Sequence, residues 1–150
     1  MILPAQQLRL RKPLEPFVER SQSHGLTYGL GPAGYDVRIR ENITLPIGAF
    51  ALASTIERFT MPDDLLATVH DKSTWARQGL AVQTTVIEPG WFGYLTLELT
   101  NHGYQELHFR EGMPIAQILF HQLSEPTEAA YRGKYQDQMK GPQPAILEDK

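Results

Sequence analysis

The stretch Ile87-Glu88-Pro89-Gly90-Trp91-Phe92-Gly93-Tyr94-Leu95-Thr96-Leu97-Glu98-Leu99-Thr100-Asn101 decides the fold. From Gly93 onward, leucines at 95, 97 and 99 alternate with Tyr94, Thr96, Glu98 and Thr100. A period of two sends successive side chains to opposite faces of a β-strand, so one face is core and the other carries Glu98. Pro89-Gly90 predicts a tight turn before that strand, aiming Glu88 and Trp91 outward. Trp91 then serves either base stacking or packing, and packing is the simpler reading.

Working outward, Pro114 to Leu123 alternates Ile115, Gln117, Leu119 and His121 against Ala116, Ile118, Phe120 and Gln122. Apolar residues on both faces predict burial from both sides, as in a closed barrel or a subunit interface. Between about residue 20 and residue 123 the chain consists of short apolar or alternating runs punctuated by Gly and Pro, the pattern of a β-sandwich or barrel. Ser73 to Gln78, stopped by Gly79, is the one internal segment that reads helical. A short N-terminal helix is expected within residues 4 to 20, bounded or broken by Pro13 and Pro16. After Pro126 the chain turns polar and rich in Lys, Gln, Pro and acid. The expected organisation is a β domain over 1–126 and a tail over 127–150 that is either disordered or a lid.

Composition excludes several chemistries. The chain has 150 residues, 41% hydrophobic, with 14 basic and 17 acidic side chains and no cysteine. That length suits one domain with a real core. Without cysteine there are no disulfides, no cysteine nucleophile and no thiolate zinc site of the kind zinc nucleoside deaminases use. The five histidines include no His-x-x-x-His pair, so no metal ligand set is read. A net charge of −3 argues against a broad nucleic-acid footprint. The start is too short and too interrupted for a signal peptide, and no window approaches a membrane span, so the expected location is cytoplasmic.

Two features carry chemistry. In His70-Asp71-Lys72-Ser73-Thr74-Trp75-Ala76-Arg77-Gln78-Gly79-Leu80, Ser73 and Arg77 lie four apart on one face of a helical turn, with Lys72 at its entrance. A hydroxyl, two cations and free backbone N–H groups suit a phosphate, and a capped surface helix with Ser73 as N-cap explains the same residues. Glu98, in mid-strand between Thr96 and Thr100, faces either water or a site, where desolvation raises its pKa toward proton-shuttling range. Asp36 and Arg38 fall on one strand face, where pairing with each other is expected.

Read in order, the segments PLEPF, PAGYDVRI, STIERFTMPDDLLATVHDKSTWARQGL, IEPGWFGYLTLELTNHG and FREGMPIAQILFHQL resemble successive motifs of the trimeric dUTPase and dCTP deaminase superfamily. The resemblance spans most of the chain. It implies a mainly β fold, a distorted β-barrel or jelly-roll of the dUTPase-like type with the two short helices, assembled as a homotrimer with sites between subunits. KSTWARQGL and LTLELTN favour the deaminase branch, and the tail YRGKYQDQ is similar to the deaminase tail in place of the Gly-rich arm of dUTPases.

The resemblance implies deamination of a deoxycytidine nucleotide, foremost dCTP to dUTP, without zinc. Glu98 takes the role of general base and acid, with Ser73 and Arg77 holding and polarising the water. Lys72, Thr74, Thr96, Leu97, Gln117, Lys134 and Gln138 match nucleotide-contacting positions, with Thr85 and Tyr131 as candidates beside them. Mg²⁺ is expected through the substrate phosphates. Three departures stand out, one of them that the family's nucleotide-covering tail tyrosine has no clean match here, Tyr131 being the candidate. Glu88 replaces the aspartate of the family's Ile-Asp-Pro-Gly turn, which meets the sugar, and the connection from Leu80 to Ile87 lacks a His-x-Thr-Ala stretch. A dUTPase or bifunctional deaminase-pyrophosphatase, and a non-catalytic trimeric nucleotide-binding regulator, are the alternatives.

Overall fold

The computed structural model describes residues 1–148. Helix α1 covers Ala5–Arg11 and buries Leu8. It is shorter than the predicted window: Lys12 turns left-handed at φ 44°, its N–H still bonded to Leu8 O at 2.8 Å, ahead of Pro13, and a residue before proline is disfavoured in the helical region.

Twelve strands follow: β1 (Leu14–Glu15), β2 (Ser21–Ser23), β3 (Leu26–Leu30), β4 (Tyr35–Arg38), β5 (Ile43–Leu45), β6 (Phe50–Thr60), β7 (Leu65–Asp71), β8 (Leu80–Val82), β9 (Val86–Ile87), β10 (Phe92–Asn101), β11 (Leu107–Phe109) and β12 (Pro114–Gln122). Helix α2, Ser73–Ala76, interrupts them between β7 and β8. One sheet runs β1-β6-β10-β8, a second runs β2-β3-β4-β12-β7-β9, and β11 pairs with β5. The two curled antiparallel sheets enclose one core, centred on Phe59, Leu97, Leu99, Ile118 and Phe120. This is the distorted barrel or jelly-roll that the family resemblance implies. Among the described residues no helix is long and apolar enough to cross a membrane.

Strand β10 alternates as expected: Leu95, Leu97 and Leu99 are buried, and Tyr94, Thr96, Glu98 and Thr100 face the other side. Its register against β6 shifts between Tyr94 and Thr96, and there Leu95 N–H bonds to Thr55 Oγ1 at 3.1 Å instead of the ladder. Such an irregularity twists a strand and re-aims the side chains after it, here Thr96 and Glu98. Within one chain, β12 buries Ala116, Ile118 and Phe120 on one face, whereas Gln117, Leu119 and His121 on the other are half-buried.

Three local expectations are corrected. Trp91 is buried rather than outward, packed against Phe59 with ring centroids 6.1 Å apart. Asp36 and Arg38 do not pair with each other: Asp36 accepts from Lys72 Nζ at 2.7 Å and Arg38 donates to Glu57, because both partners come from segments that only the fold brings near. The N-cap of α2 is Lys72, and Ser73 is already the first helical residue with an exposed side chain.

Candidate active site

Glu98 opens onto a cavity of about 500 Å³. Its walls come from β6 (Phe50, Leu52), from the β9 segment (Thr85, Val86, Ile87, Glu88), from Trp91 and β10 (Leu95, Thr96), and from the tail (Tyr131, Tyr135, Gln138, Gln143, Ala145). The segment that reaches β9 is tied to both sheets. Gln83 N–H bonds to Glu98 O at 3.0 Å, and Thr85 O accepts from Val69 N–H at 3.1 Å. Thr85 and Glu88 are thereby carried to the mouth of the same cavity as Glu98.

The state of Glu98 distinguishes this cavity. Its Oε2 is buried with no hydrogen-bond partner. Burial pushes its pKa above the usual glutamate value, with its own backbone N–H pulling the other way. The only other orphaned side-chain atom among the described residues is Arg40 Nε. Its guanidinium is otherwise engaged, stacked 4.9 Å from the Tyr94 ring centre and donating to Ile56 O at 3.2 Å. An unpaired buried carboxylate oxygen is expensive and therefore rare in a finished structure. Set in an apolar cavity, it fits a group that awaits a water or substrate proton.

The tail after Pro126 forms no helix or strand among the described residues, yet it is held to the barrel. Trp91 Nε1 donates to Tyr135 O at 2.6 Å, and Tyr94 N–H donates to Gln138 O at 3.0 Å. Thr96 Oγ1 accepts from both Gln138 Nε2 and Gln143 N–H. Thr96 is therefore spent on seating the tail.

A second, polar cleft of about 290 Å³ is lined by Arg20, Thr27, Asp36, Asp71, Lys72, Ser73, Thr74 and Gln117. Lys72 is buried there, with Nζ 2.7 Å from Asp36 Oδ2 and 3.3 Å from Thr27 Oγ1. Its charge is already balanced within the chain. Ser73, Thr74 and Arg77 are exposed, as is Arg20, a cation that sequence reasoning did not single out.

Residues 32–123 match the family described as dCTP deaminase-like. A dCTP deaminase of Thermococcus sibiricus is 37% identical over 153 aligned positions, which cover 91% of this chain and 92% of that protein. The chain belongs to the dCTP deaminase-like family. Solved structures agree on the fold: the 2'-deoxycytidine 5'-triphosphate deaminase of Agrobacterium tumefaciens gives a TM-score of 0.63 at 17% identity, over 79% of this chain and 48% of that one. The EIAV dUTPase gives 0.60 at 21% identity, over 79% of this chain and 94% of that one.

The dCTP deaminase-like chain thus distributes its sequence-predicted site residues between two places. Glu98, Thr85, Glu88, Thr96, Tyr131 and Gln138 meet at the large cavity, whereas Lys72, Ser73, Thr74 and Gln117 line the polar cleft, and the two share no lining residue. Three of the predicted residues line neither. Arg77 is exposed at the end of α2, Lys134 pairs with Glu148 at 3.2 Å, and the Leu97 side chain is fully in the core, which removes it as a side-chain contact for a base or sugar. Sequence reasoning missed Tyr135, which lines the cavity beside Tyr131. The available signal was its place between Lys134 and Gln138, both of which the family resemblance picks out. Leu52 was out of reach, because its position opposite Glu98 depends on the β6–β10 register.

Proposed function

We propose that this protein converts dCTP and water to dUTP and ammonia, with Glu98 as the group that moves the protons. Glu98, which lines the 500 Å³ cavity and whose Oε2 is buried without a partner, carries this reading. A carboxylate whose pKa burial has raised is a better base toward water than an ordinary glutamate. Glu98 accepts a proton from water, and the hydroxide adds to C4 of the cytosine ring. The proton then goes to N3, and Glu98 carries the proton of the new C4 hydroxyl to the amino nitrogen, so that the C4–N bond breaks, the C4 carbonyl forms and ammonia leaves. Ser73 and Arg77 hold the water and the developing charge.

Glu98 and Ser73 lie in separate clefts of one chain, which supports a homotrimer in which the Ser73–Arg77 turn of one subunit completes the Glu98 cavity of the next. In that assembly the half-buried face of β12 with Gln117, Leu119 and His121 is an interface, and the polar cleft with Lys72, Thr74 and Arg20 receives phosphate oxygens. Among the described residues no three His, Asp or Glu side chains stand close enough to hold a metal. Mg²⁺ enters on the triphosphate, as part of the substrate. In this reading the tail is the outer wall of the site, with Tyr131, Tyr135 and Gln138 against the nucleotide.

Glu88, a second carboxylate at the same cavity, favours one further reading, hydrolysis of the α–β phosphate bond. One assay separates the two. Purified protein is given dCTP, dCMP, CTP or dUTP with Mg²⁺, and ammonia and pyrophosphate are scored separately. Ammonia from dCTP without pyrophosphate is the expected result, pyrophosphate assigns work to Glu88, and neither product points to a nucleotide-binding regulator.

A further inference from the structure

The family match begins at residue 32, so the hairpin of β2 and β3 lies outside it. Ser23 pairs with Leu26 around a two-residue turn, His24-Gly25, and both turn residues have positive φ, 54° and 75°, the geometry a tight antiparallel hairpin requires. The hairpin is fixed to the barrel. Gly29 pairs with Asp36 and Leu30 with Tyr35, and the Arg38 guanidinium sits over the Tyr28 ring, 4.4 Å from its centre. At Gly29, with φ 89°, a Cβ would lie 2.5 Å from Glu19 O, so the chain that enters β2 crosses β3 closely only because a glycine stands there. Arg20 follows Glu19 at once, and with Thr27 of β3 it lines the polar cleft.

Four charged side chains line that cleft, Arg20 and Lys72 against Asp36 and Asp71. Three of them are engaged within the chain. Lys72 Nζ lies 2.7 Å from Asp36 Oδ2, and Asp71 Oδ1 accepts from Val82 N–H at 2.7 Å. Arg20 is exposed and forms no ion pair among the described residues. The other lining side chains, Thr27, Ser73, Thr74 and Gln117, are neutral. Neutral donors offer any phosphate much the same hydrogen bonds, and the Lys72–Asp36 pair largely cancels its own field. Arg20 is therefore the cleft cation whose attraction grows with the charge of the anion, and its planar guanidinium can give two parallel N–H bonds to phosphate oxygens.

We infer that Arg20 is a specificity-determining residue that makes this protein prefer a deoxycytidine triphosphate to the monophosphate. The hairpin carries it, so the preference belongs to a part of the chain that the family match does not cover. This inference rests on the reading of the polar cleft as the seat of the nucleotide's phosphates, and it adds the residue that reads their number.

The test compares full-length wild type with Arg20→Gln and Arg20→Lys on dCTP and dCMP, each with Mg²⁺. Ammonia release gives KM and kcat, and calorimetry gives affinity independently of turnover. Arg20→Gln should raise KM for dCTP by about tenfold and for dCMP by less than about threefold, with kcat on dCTP within about threefold of wild type. Arg20→Lys keeps the charge without the paired donors and should raise KM for dCTP by only about threefold. Equal losses for dCTP and dCMP overturn the inference, because they mark a residue of fold or assembly, and so does an Arg20→Gln protein that binds dCTP as wild type does. If wild type binds dCTP without releasing ammonia, the proposed function fails, and calorimetry still decides the inference: a preference for dCTP over dCMP that shrinks in Arg20→Gln upholds it. Wild type that binds neither nucleotide overturns both.

Discussion

Two glutamates on paired strands, Glu57 of β6 and Glu98 of β10, show how the same side chain serves structure in one place and chemistry in another. Glu57 is fully buried, and burial pushes its pKa up against the pull of Arg38. Its Oε1 meets Arg38 Nε at 2.9 Å and its Oε2 accepts from Arg38 N–H at 3.0 Å, so the carboxylate is closed off by partners inside the chain. Glu98 is less buried, yet its Oε2 has no partner and the residue lines a cavity. Burial alone therefore does not mark a working carboxylate. Burial with an unfilled hydrogen bond, on a residue that lines space for a ligand, does.

The sharpest way to break the comparison is to remove the partnered member. Glu57→Ala leaves the Arg38 guanidinium without its counterion in a site only 16% exposed, and should destabilise the fold by about 3 kcal/mol in urea denaturation. The protein that remains folded should keep wild-type kcat. A Glu57→Ala protein of unchanged stability but no activity would reverse the two roles.

A smaller effect sharpens the other side. The raised pKa of Glu98 means that between its unfolded and folded values the folded state binds more protons, so stability falls as pH rises through that interval. Glu98→Gln lacks the titration. Its stability should match wild type below the ordinary glutamate range of about 4.3 and exceed it at neutral pH, where the wild-type carboxylate is charged and desolvated. Denaturation midpoints that stay parallel across the pH range would mean that Glu98 is not desolvated at all.

Much of the barrel was legible because its strands repeat with period two. The leucines of β10 mark the core face and place Glu98 opposite, and the turn at Pro89-Gly90 ends the preceding segment as read. What escaped the sequence depends on contacts between distant segments. The i, i+2 spacing of Asp36 and Arg38 suggests a mutual pair, but Lys72 and Glu57 compete from distant segments and win. The polar tail has no periodicity, and its order comes from backbone bonds to β10, such as Tyr94 N–H to Gln138 O, which no local pattern encodes. Trp91 was expected outward for the same reason. Its indole is covered by a tail that sequence alone does not bring back to the turn.

Ammonia release from dCTP by wild type and by Glu98→Gln, with nucleotide binding to each measured by calorimetry, tests the central claim most directly. The account predicts that the Gln variant binds dCTP within a few-fold of wild type and loses turnover by about a thousandfold, the scale of removing a positioned general base. A Gln variant that still releases ammonia near the wild-type rate would contradict it.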